Sequence, residues 1–243
     1  MNFFSLFKRK LIYKIKKKIN IDTDGVNEKD LDKLFFHYGS DKSNFFKNEN
    51  TKGHGYSKFY SKYFEKFKSK KINVLEIGSY SGASAAAFKK FFENSQIICF
   101  DVNISKFLYN SKNIKVFGLD IKDYDKVKKI LNKINVVNHF DLIIDDGSHN
   151  LEDILIAFKN MFKYLKKGGL YVIEDYKFPN YYSYNKNIDD ILVDNMLKNI
   201  VSKKFFDSKI FDKQTQSYFH ENINNIFFHK GNFEHSDICF ISK

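Results

Sequence analysis

The sequence INVLEIGSYSG, residues 72–82, decides the fold. Its first part, Ile72–Gly78, is a short apolar run that predicts a buried strand. The run ends in a turn with glycines at positions 78 and 82, and the helical pattern SGASAAAFKKFF follows at once. A buried strand that passes through a glycine-bearing turn into a helix is typical of a parallel α/β sheet with a ligand site at the turn.

The same alternation continues along the chain. Near-continuous apolar runs alternate with helical patterns, as expected for parallel strands that are covered on both faces. We therefore predict an α/β fold with a doubly wound, mostly parallel, seven-stranded Rossmann-like sheet and a helical N-terminal extension. Further strands are predicted at Gln96–Asp101, Asn113–Asp120, His139–His149 (ending in an acidic turn), Gly169–Asp175 and on both sides of a turn at Gly231–Asn232; helices are predicted at Asp123–Ile134, Leu151–Gly169 and Ile188–Val201.

Length and charge limit the class of protein. The 243 residues fit one large α/β domain with a short extension. The net charge of +12 would raise nucleic acid as a partner, but Arg9 is the only arginine and the lysines are scattered along the chain. Bidentate recognition of phosphate and guanine needs arginine, so we expect no nucleic-acid partner.

The cysteines and the N-terminal residues indicate where in the cell the protein is found. Cys99 and Cys239 lie in apolar runs with no metal-ligand spacing, which fits a reducing cytoplasm, and no apolar run reaches the length of a membrane span. Residues 1–20, MNFFSLFKRKLIYKIKKKIN, interleave apolar residues with lysines as a basic amphipathic helix does. Two alternatives stay open: peripheral contact with the inner face of an anionic membrane, or packing on the domain or on a second copy in a homo-oligomer.

The glycine turn indicates its ligand. Its spacing differs from the G-x-G-x-x-G of dinucleotide sites. An acidic residue two positions before the first glycine, and a second glycine four positions after it, is the pattern of S-adenosylmethionine enzymes. Asp101 ends the next strand, where an acidic residue accepts hydrogen bonds from ribose hydroxyls; the alternative for an isolated Asp is a helix cap. The predicted cofactor-binding residues are Glu76, Gly78, Ser79, Tyr80, Gly82, Asp101, Asp120 (near the adenine) and Asp145.

A cluster of acidic residues follows two later strands. DDGSH, residues 145–149, ends one strand, and Glu174 and Asp175 end the next. If these strands are parallel neighbours about 5 Å apart, Asp146, Glu174 and Asp175 meet in one crevice. Carboxylates in one crevice repel each other unless a cation neutralises them, and an oxygen-rich set suits Mg²⁺, Mn²⁺ or Fe²⁺. His149 would face the same cavity as a candidate base; the alternative is that the acids cap helices or pair with lysines.

These motifs together resemble the metal-dependent sugar O-methyltransferases of macrolide biosynthesis and their relatives in bacterial capsule and polysaccharide clusters. LEIGSYSGAS, IDDGSH and YVIED are similar to that family's hallmarks. HYGSDK (residues 37–42) and HGYSKFYSKYFEKF (residues 54–67) are similar to its G-T-D-K and H-x-Y-x-x-x-Y elements, with Ser40 where threonine is common. The resemblance runs from about residue 35 to the C-terminus, and the larger family members carry an additional N-terminal domain.

The resemblance implies a class I methyltransferase domain over residues 27–243, with a helical lead-in over 27–70 and the sheet core over 71–243, after a basic segment over 1–26. It also implies metal ligation by Asp146, Glu174 and Asp175 and catalysis by His149, which removes a proton, together with Asp146.

The implied activity is transfer of a methyl group from S-adenosylmethionine to a sugar hydroxyl. The acceptor would be a nucleotide-activated sugar, such as a heptose, or a glycan precursor of capsule or polysaccharide. Alternatives are another phosphorylated or nucleotide-linked capsule precursor and a catechol-type acceptor. A nucleic-acid methyltransferase and a non-catalytic membrane scaffold are further alternatives, and both leave the acidic cluster unexplained.

Overall fold

The computed structural model describes residues 3–134 and 140–243. The chain divides into two compact units. The first is Met1–Asp120 with Gly231–Phe233, and the second is Ile121–Lys230 with Glu234–Lys243.

The first unit begins with helices and continues into parallel strands. Its elements are α1 (Phe3–Ile15), β1 (Ile19–Asn20), α2 (Leu31–Tyr38), β2 (Phe45–Phe46), β3 (Thr51–Lys52), α3 (Ser57–Phe64), β4 (Lys71–Ile77), α4 (Ala83–Phe91), β5 (Asn94–Asp101), β6 (Tyr109–Asn110) and β7 (Ile114–Gly118). β5 lies between β4 and β7 and is parallel to both. The register sets Ile77 opposite Phe100 and Asp101 opposite Gly118, so the carboxyl ends of the three strands lie together. That edge is where the sequence places the cofactor.

The predicted helical lead-in packs on α4 through aromatic rings. Phe35 of α2 and Tyr60 of α3 both contact Phe88 of α4, with ring centroids 5.4 Å apart in each pair. All three side chains are fully buried. Since full burial of a large apolar side chain contributes about 1.5–3 kcal/mol, this cluster accounts for the attachment of α2 and α3.

Helix α1 packs on the segment that follows β5. Tyr13 contacts Phe107 edge to face at 6.3 Å, and Arg9 donates a hydrogen bond to the Val102 carbonyl at 2.9 Å. Beyond the helix, β1 pairs in parallel with β6. Of the two alternatives for the N-terminus, packing on the domain is confirmed for one face of the helix.

The second unit holds the later strands. Its elements are α5 (Tyr124–Lys133), β8 (Phe140–Asp145), α6 (Leu151–Met161), β9 (Leu165–Glu174), α7 (Phe178–Tyr181), α8 (Val193–Val201), α9 (Lys213–Asn222), β10 (Asn225–Lys230) and β11 (Asp237–Ser242). β8 and β9 are parallel, whereas β11 runs antiparallel to β9 and to β10. The parallel arrangement that the acidic crevice requires is therefore confirmed. His139, the predicted start of β8, lies outside the described residues.

Two predicted helices are too long. The helix predicted over Leu151–Gly169 ends at Met161, and β9 begins at Leu165, so the glycines lie within a strand. A Cβ at Gly169 would come within 2.8 Å of the Asp141 carbonyl oxygen, so this position needs glycine for close strand packing. The helix predicted from Ile188 begins at Val193.

The predicted fold class is confirmed. Seven principal strands are present in the described part of the chain, three in the first unit and four in the second, and helices separate most of them. None of the helices among residues 3–134 and 140–243 is long and apolar enough to cross a membrane.

Candidate active site

The glycine turn after β4 has an unusual backbone. Gly78, Tyr80 and Gly82 have φ values of +85°, +41° and +79°, in the left-handed region that favours glycine. The Gly78 amide donates to the Phe100 carbonyl at 2.8 Å, and the Gly82 amide donates to the Ser79 carbonyl at 2.7 Å. The first hydrogen bond ties the start of the turn to β5 and the second closes the turn itself, with the Tyr80 side chain exposed.

Asp101 holds this turn. Its Oδ2 accepts a hydrogen bond from the Tyr80 amide at 2.7 Å, and its Oδ1 accepts one from the Asn103 amide at 2.5 Å. The structure therefore brings together two predicted cofactor residues that are 21 positions apart. Each carboxylate oxygen has a second lone pair, so Asp101 can still accept from a bound hydroxyl.

Glu76 is fully buried at the end of β4 and accepts a hydrogen bond from the Ser84 hydroxyl on α4. The Cys99 thiol is opposite Glu76 in the register of β4 and β5. Burial, together with the nearby Glu76 carboxylate, raises the pKa of that thiol well above its ordinary value. Cys99 is therefore an inert core residue, whereas Glu76 is a buried acid directly beneath the turn.

Gly82 also packs closely within the chain. A Cβ built at Gly82 would come within 2.4 Å of the Phe107 ring, which contacts Tyr13 edge to face. Packing within the chain is thus enough to require glycine here.

Two further predicted cofactor residues lie at strand ends. Asp120 is half-buried two residues after β7, and the neighbouring Leu119 amide donates to the Asp101 carbonyl at 3.0 Å. Asp145 is the last residue of β8 and is buried. Burial and the adjacent Asp146 carboxylate raise its pKa to about 8.

The acidic crevice lies in the second unit. Asp146, His149 and Asp175 each place one ligand atom so that the three atoms lie within 4.8 Å of one another. His149 Nε2 is 3.7 Å from Asp146 Oδ1 and 3.9 Å from Asp175 Oδ2. Two carboxylates and an imidazole form a donor set that fits a divalent cation.

Glu174, the third predicted ligand, is not in this group. It is buried as the last residue of β9, paired with Ile238 of β11. Asp175 follows with φ +51°, and His149 has φ +55°. Left-handed backbone in residues other than glycine is uncommon and is often found at functional sites, and here it occurs at two of the three clustered residues.

The side chain of Asn185 is hydrogen-bonded to the segment that carries His149, although Asn185 lies far from it in sequence. Its buried side-chain amide donates to the His149 carbonyl and to Asn150 Oδ1, both at 3.2 Å. Phe178 lies against the His149 ring with centroids 4.9 Å apart. Sequence reasoning missed both residues, because they lie about 30 positions from His149 and no local pattern connects them to it.

Comparison with known proteins gives these sites a context. Residues 75–176, which contain the glycine turn and the acidic crevice, match the family model described as a methyltransferase domain. The chain is 29% identical over 158 residues to mycinamicin VI 2''-O-methyltransferase from Micromonospora griseorubida, covering 62% of this chain and 37% of the relative. It is 28% identical over 159 residues to 8-demethyl-8-alpha-L-rhamnosyl tetracenomycin-C 2'-O-methyltransferase from Streptomyces olivaceus, covering 63% and 39%.

A solved structure agrees on the fold. A methyltransferase from the mycinamycin biosynthetic pathway, in complex with Mg, SAH and mycinamycin VI, superposes with a TM-score of 0.67 at 23% identity, over 88% of this chain and 54% of that one. The chain thus has the Rossmann-like methyltransferase fold. It spans well under half the length of the curated relatives it matches.

Proposed function

Since residues 75–176 match a methyltransferase domain model and the chain has the Rossmann-like methyltransferase fold, we propose that it is a class I methyltransferase that transfers a methyl group from S-adenosylmethionine to a hydroxyl oxygen of a sugar. We place this domain at residues 27–243, after a basic segment over 1–26. The observation that supports the proposal most is the convergence of Asp146, His149 and Asp175 within 4.8 Å beside a parallel strand pair. The named relatives that resemble the chain are sugar O-methyltransferases.

The glycine turn and the strand ends beside it fit S-adenosylmethionine. The left-handed backbone at Gly78 and Tyr80 makes the chain turn directly after β4, and Asp101 presents a carboxylate at the same edge of the sheet. Glu76, Ser79, Gly82, Asp120 and Asp145 complete the proposed set. When bound, the cofactor supplies an already activated methyl group, so the protein has mainly to position the acceptor oxygen in line with the carbon–sulfur bond.

Asp146 and Asp175 would hold a divalent cation, Mg²⁺, Mn²⁺ or Fe²⁺, together with Glu174. When bound, the cation lowers the pKa of an acceptor hydroxyl that touches it. The chain's own task is then to keep two carboxylates at the crevice, and the parallel pairing of β8 with β9 does this.

His149 would take the proton from the acceptor hydroxyl. Its Nε2 lies 3.7 Å from Asp146 Oδ1 and 3.9 Å from Asp175 Oδ2, so the imidazole lies beside the carboxylates that would hold the cation, close to where an acceptor hydroxyl would bind. Asn185 and Phe178 hold the backbone and the ring of His149 in place.

The acceptor class comes from the relatives, which are named as O-methyltransferases of mycinamicin VI and of an alpha-L-rhamnosyl tetracenomycin-C. We propose a sugar hydroxyl, carried on a nucleotide-activated sugar such as a heptose or on a capsule or polysaccharide precursor. Another phosphorylated or nucleotide-linked precursor is the second candidate. A screen of glycosides and nucleotide sugars with S-adenosylmethionine and Mg²⁺, Mn²⁺ or Fe²⁺, read by mass increase of the acceptor, tests this. Methylation of RNA alone would contradict it.

We further propose that the protein is cytoplasmic and that the basic segment brings it to the inner face of an anionic membrane. Phe7, Leu11 and Ile15, spaced four residues apart on one face of α1, are 61%, 50% and 76% exposed. The opposite face, with Arg9 and Tyr13, packs on the domain. The apolar side of this helix therefore faces outward.

Charge favours an anionic lipid surface over a second copy of the chain. Residues 1–20 contain seven lysines or arginines and no acidic residue. Lys8 and Lys14 are exposed on this helix, and Lys17 is exposed just after it. Two such segments would repel each other, whereas a negatively charged membrane attracts both the lysines and the apolar side chains between them.

A further inference from the structure

A row of aromatic rings leads from the acidic crevice to the protein surface. The aromatic row consists of His149, Phe178, Tyr182 and Tyr184. Phe178 lies 4.9 Å from His149 and 5.3 Å from Tyr182, and Tyr182 stacks on Tyr184 at 5.5 Å with only 28° between the ring planes. These rings connect the candidate base to an exposed tyrosine without a break.

The row is held in place by polar contacts. The Tyr182 hydroxyl lies 3.2 Å from Nδ1 of His235, and the His235 ring also contacts Phe178 at 5.4 Å. Asn185, next in sequence after Tyr184, is buried and donates to the His149 carbonyl at 3.2 Å. The loop that carries the tyrosines is therefore anchored directly to the loop that carries His149.

Tyr184 is nevertheless 75% exposed. A single exposed aromatic side chain is ordinary. An exposed ring that is stacked in a fixed orientation, at the end of a row that starts in a candidate active site, presents a flat apolar surface to a ligand. Because aromatic faces carry negative charge density, they attract the weakly positive C–H bonds on one face of a pyranose ring, while hydroxyl groups at the ring edge stay in water.

We propose that Tyr184 and Tyr182 form a binding platform for the neutral pyranose ring of a glycoside acceptor. This inference rests on the proposed function, since it names where the acceptor binds. Phe178 spans the distance from the platform to His149, so a sugar on the platform lies at the entrance to the crevice. The platform selects by shape and apolar contact and needs no charged group on the ligand.

Saturation-transfer NMR with methyl α-L-rhamnopyranoside tests the platform without any turnover. The variants are Tyr184→Ala, Tyr184→Phe, which keeps the ring, and Phe205→Ala, which removes a 55% exposed ring outside the row in the same unit. We expect Tyr184→Ala to reduce the transferred signal at least threefold, because it removes the stacking surface. The other two variants should stay within 1.5-fold of wild type, because both keep the ring at position 184.

Steady-state methylation of the same glycoside gives the second readout. Tyr184→Ala should raise KM at least fivefold with kcat within twofold, because the platform acts in binding only. Three results would overturn the platform. They are no saturation transfer from the wild-type protein, a stronger signal for uridine than for the glycoside, and the same signal in Tyr184→Ala as in wild type. Binding through Tyr184 without methyl transfer would leave the platform standing and contradict the proposed function. Methyl transfer with an unchanged KM in Tyr184→Ala would contradict the platform and leave the proposed function standing.

Discussion

Asp101 Oδ2 accepts a hydrogen bond from the backbone amide of Tyr80 at 2.7 Å, across 21 positions of sequence. One carboxylate thus holds the glycine turn and stands at the edge where the cofactor is proposed to bind. We predict that Asp101→Ala weakens binding of S-adenosylhomocysteine about ten- to a hundredfold, since hydrogen bonds to charged groups contribute about 1.5–3 kcal/mol.

Calorimetry measures this directly. Asp22→Ala is the matched control, because Asp22 also accepts hydrogen bonds from a backbone amide and a hydroxyl in the same unit, those of Lys112 and Ser111. Equal affinity in Asp101→Ala and wild type would reduce Asp101 to a structural role.

Gly78 offers a second test of the cofactor site. Gly78 and Gly25 have φ values of +85° and +75°, and a Cβ at Gly25 would meet nothing within 4 Å. Alanine at either position should lower the free energy of unfolding by about 1–2 kcal/mol, the cost of a left-handed backbone. Only Gly78→Ala should also weaken S-adenosylhomocysteine binding, by tenfold or more. Equal affinity of the two variants for S-adenosylhomocysteine would contradict a cofactor site at Gly78.

These sites divide into what local sequence can predict and what it cannot. The glycine turn, the strand-end acids and the parallel β8–β9 pair follow from patterns a few residues long. The Ser84–Glu76 hydrogen bond and the Asn185–His149 contact arise only when distant segments pack together.

The predicted ligand set shows the same division. Consecutive residues in a strand point to opposite faces, so Glu174 and Asp175 reach one crevice only if the backbone turns between them. Asp175 has φ +51°, and the structure groups it with Asp146 and His149. A left-handed backbone at an Asp has no signal in the sequence. The role of Glu174 as a ligand stays a prediction.

The membrane hypothesis is tested by changing only the outward face of α1. We predict that the triple variant Phe7→Ser, Leu11→Ser, Ile15→Ser reduces co-sedimentation with vesicles of 30% phosphatidylserine at least tenfold, because the apolar contacts are lost. Methylation of a free acceptor should stay within twofold of wild type, since Arg9 and Tyr13 still pack on the domain.

The matched control is Val201→Ser with Phe205→Ser, two exposed apolar residues elsewhere. High salt should weaken the wild-type interaction, because the lysines contribute through unscreened charge. Wild-type binding to vesicles without anionic lipid, or a change of oligomeric state in the triple variant, would indicate a different partner for this face.

His149 and Asp146 should differ in what their loss removes. We predict that His149→Ala reduces methyl transfer at least a hundredfold, as expected for a positioned general base, while S-adenosylhomocysteine affinity changes less than threefold. His149→Ala should weaken Mn²⁺ binding much less than Asp146→Ala does. Equal loss of Mn²⁺ in both variants would make His149 a ligand and would leave the base unassigned.

The central claim is that the acidic crevice binds a divalent cation, and Mn²⁺ calorimetry on the protein with S-adenosylhomocysteine tests it most directly. Asp189→Ala, which removes a fully solvated carboxylate in the same unit, is the control. We predict one Mn²⁺ site in wild type and in Asp189→Ala, and at least a hundredfold weaker binding in Asp146→Ala. Absence of Mn²⁺ binding in wild type, or equal binding in Asp146→Ala, would contradict the account.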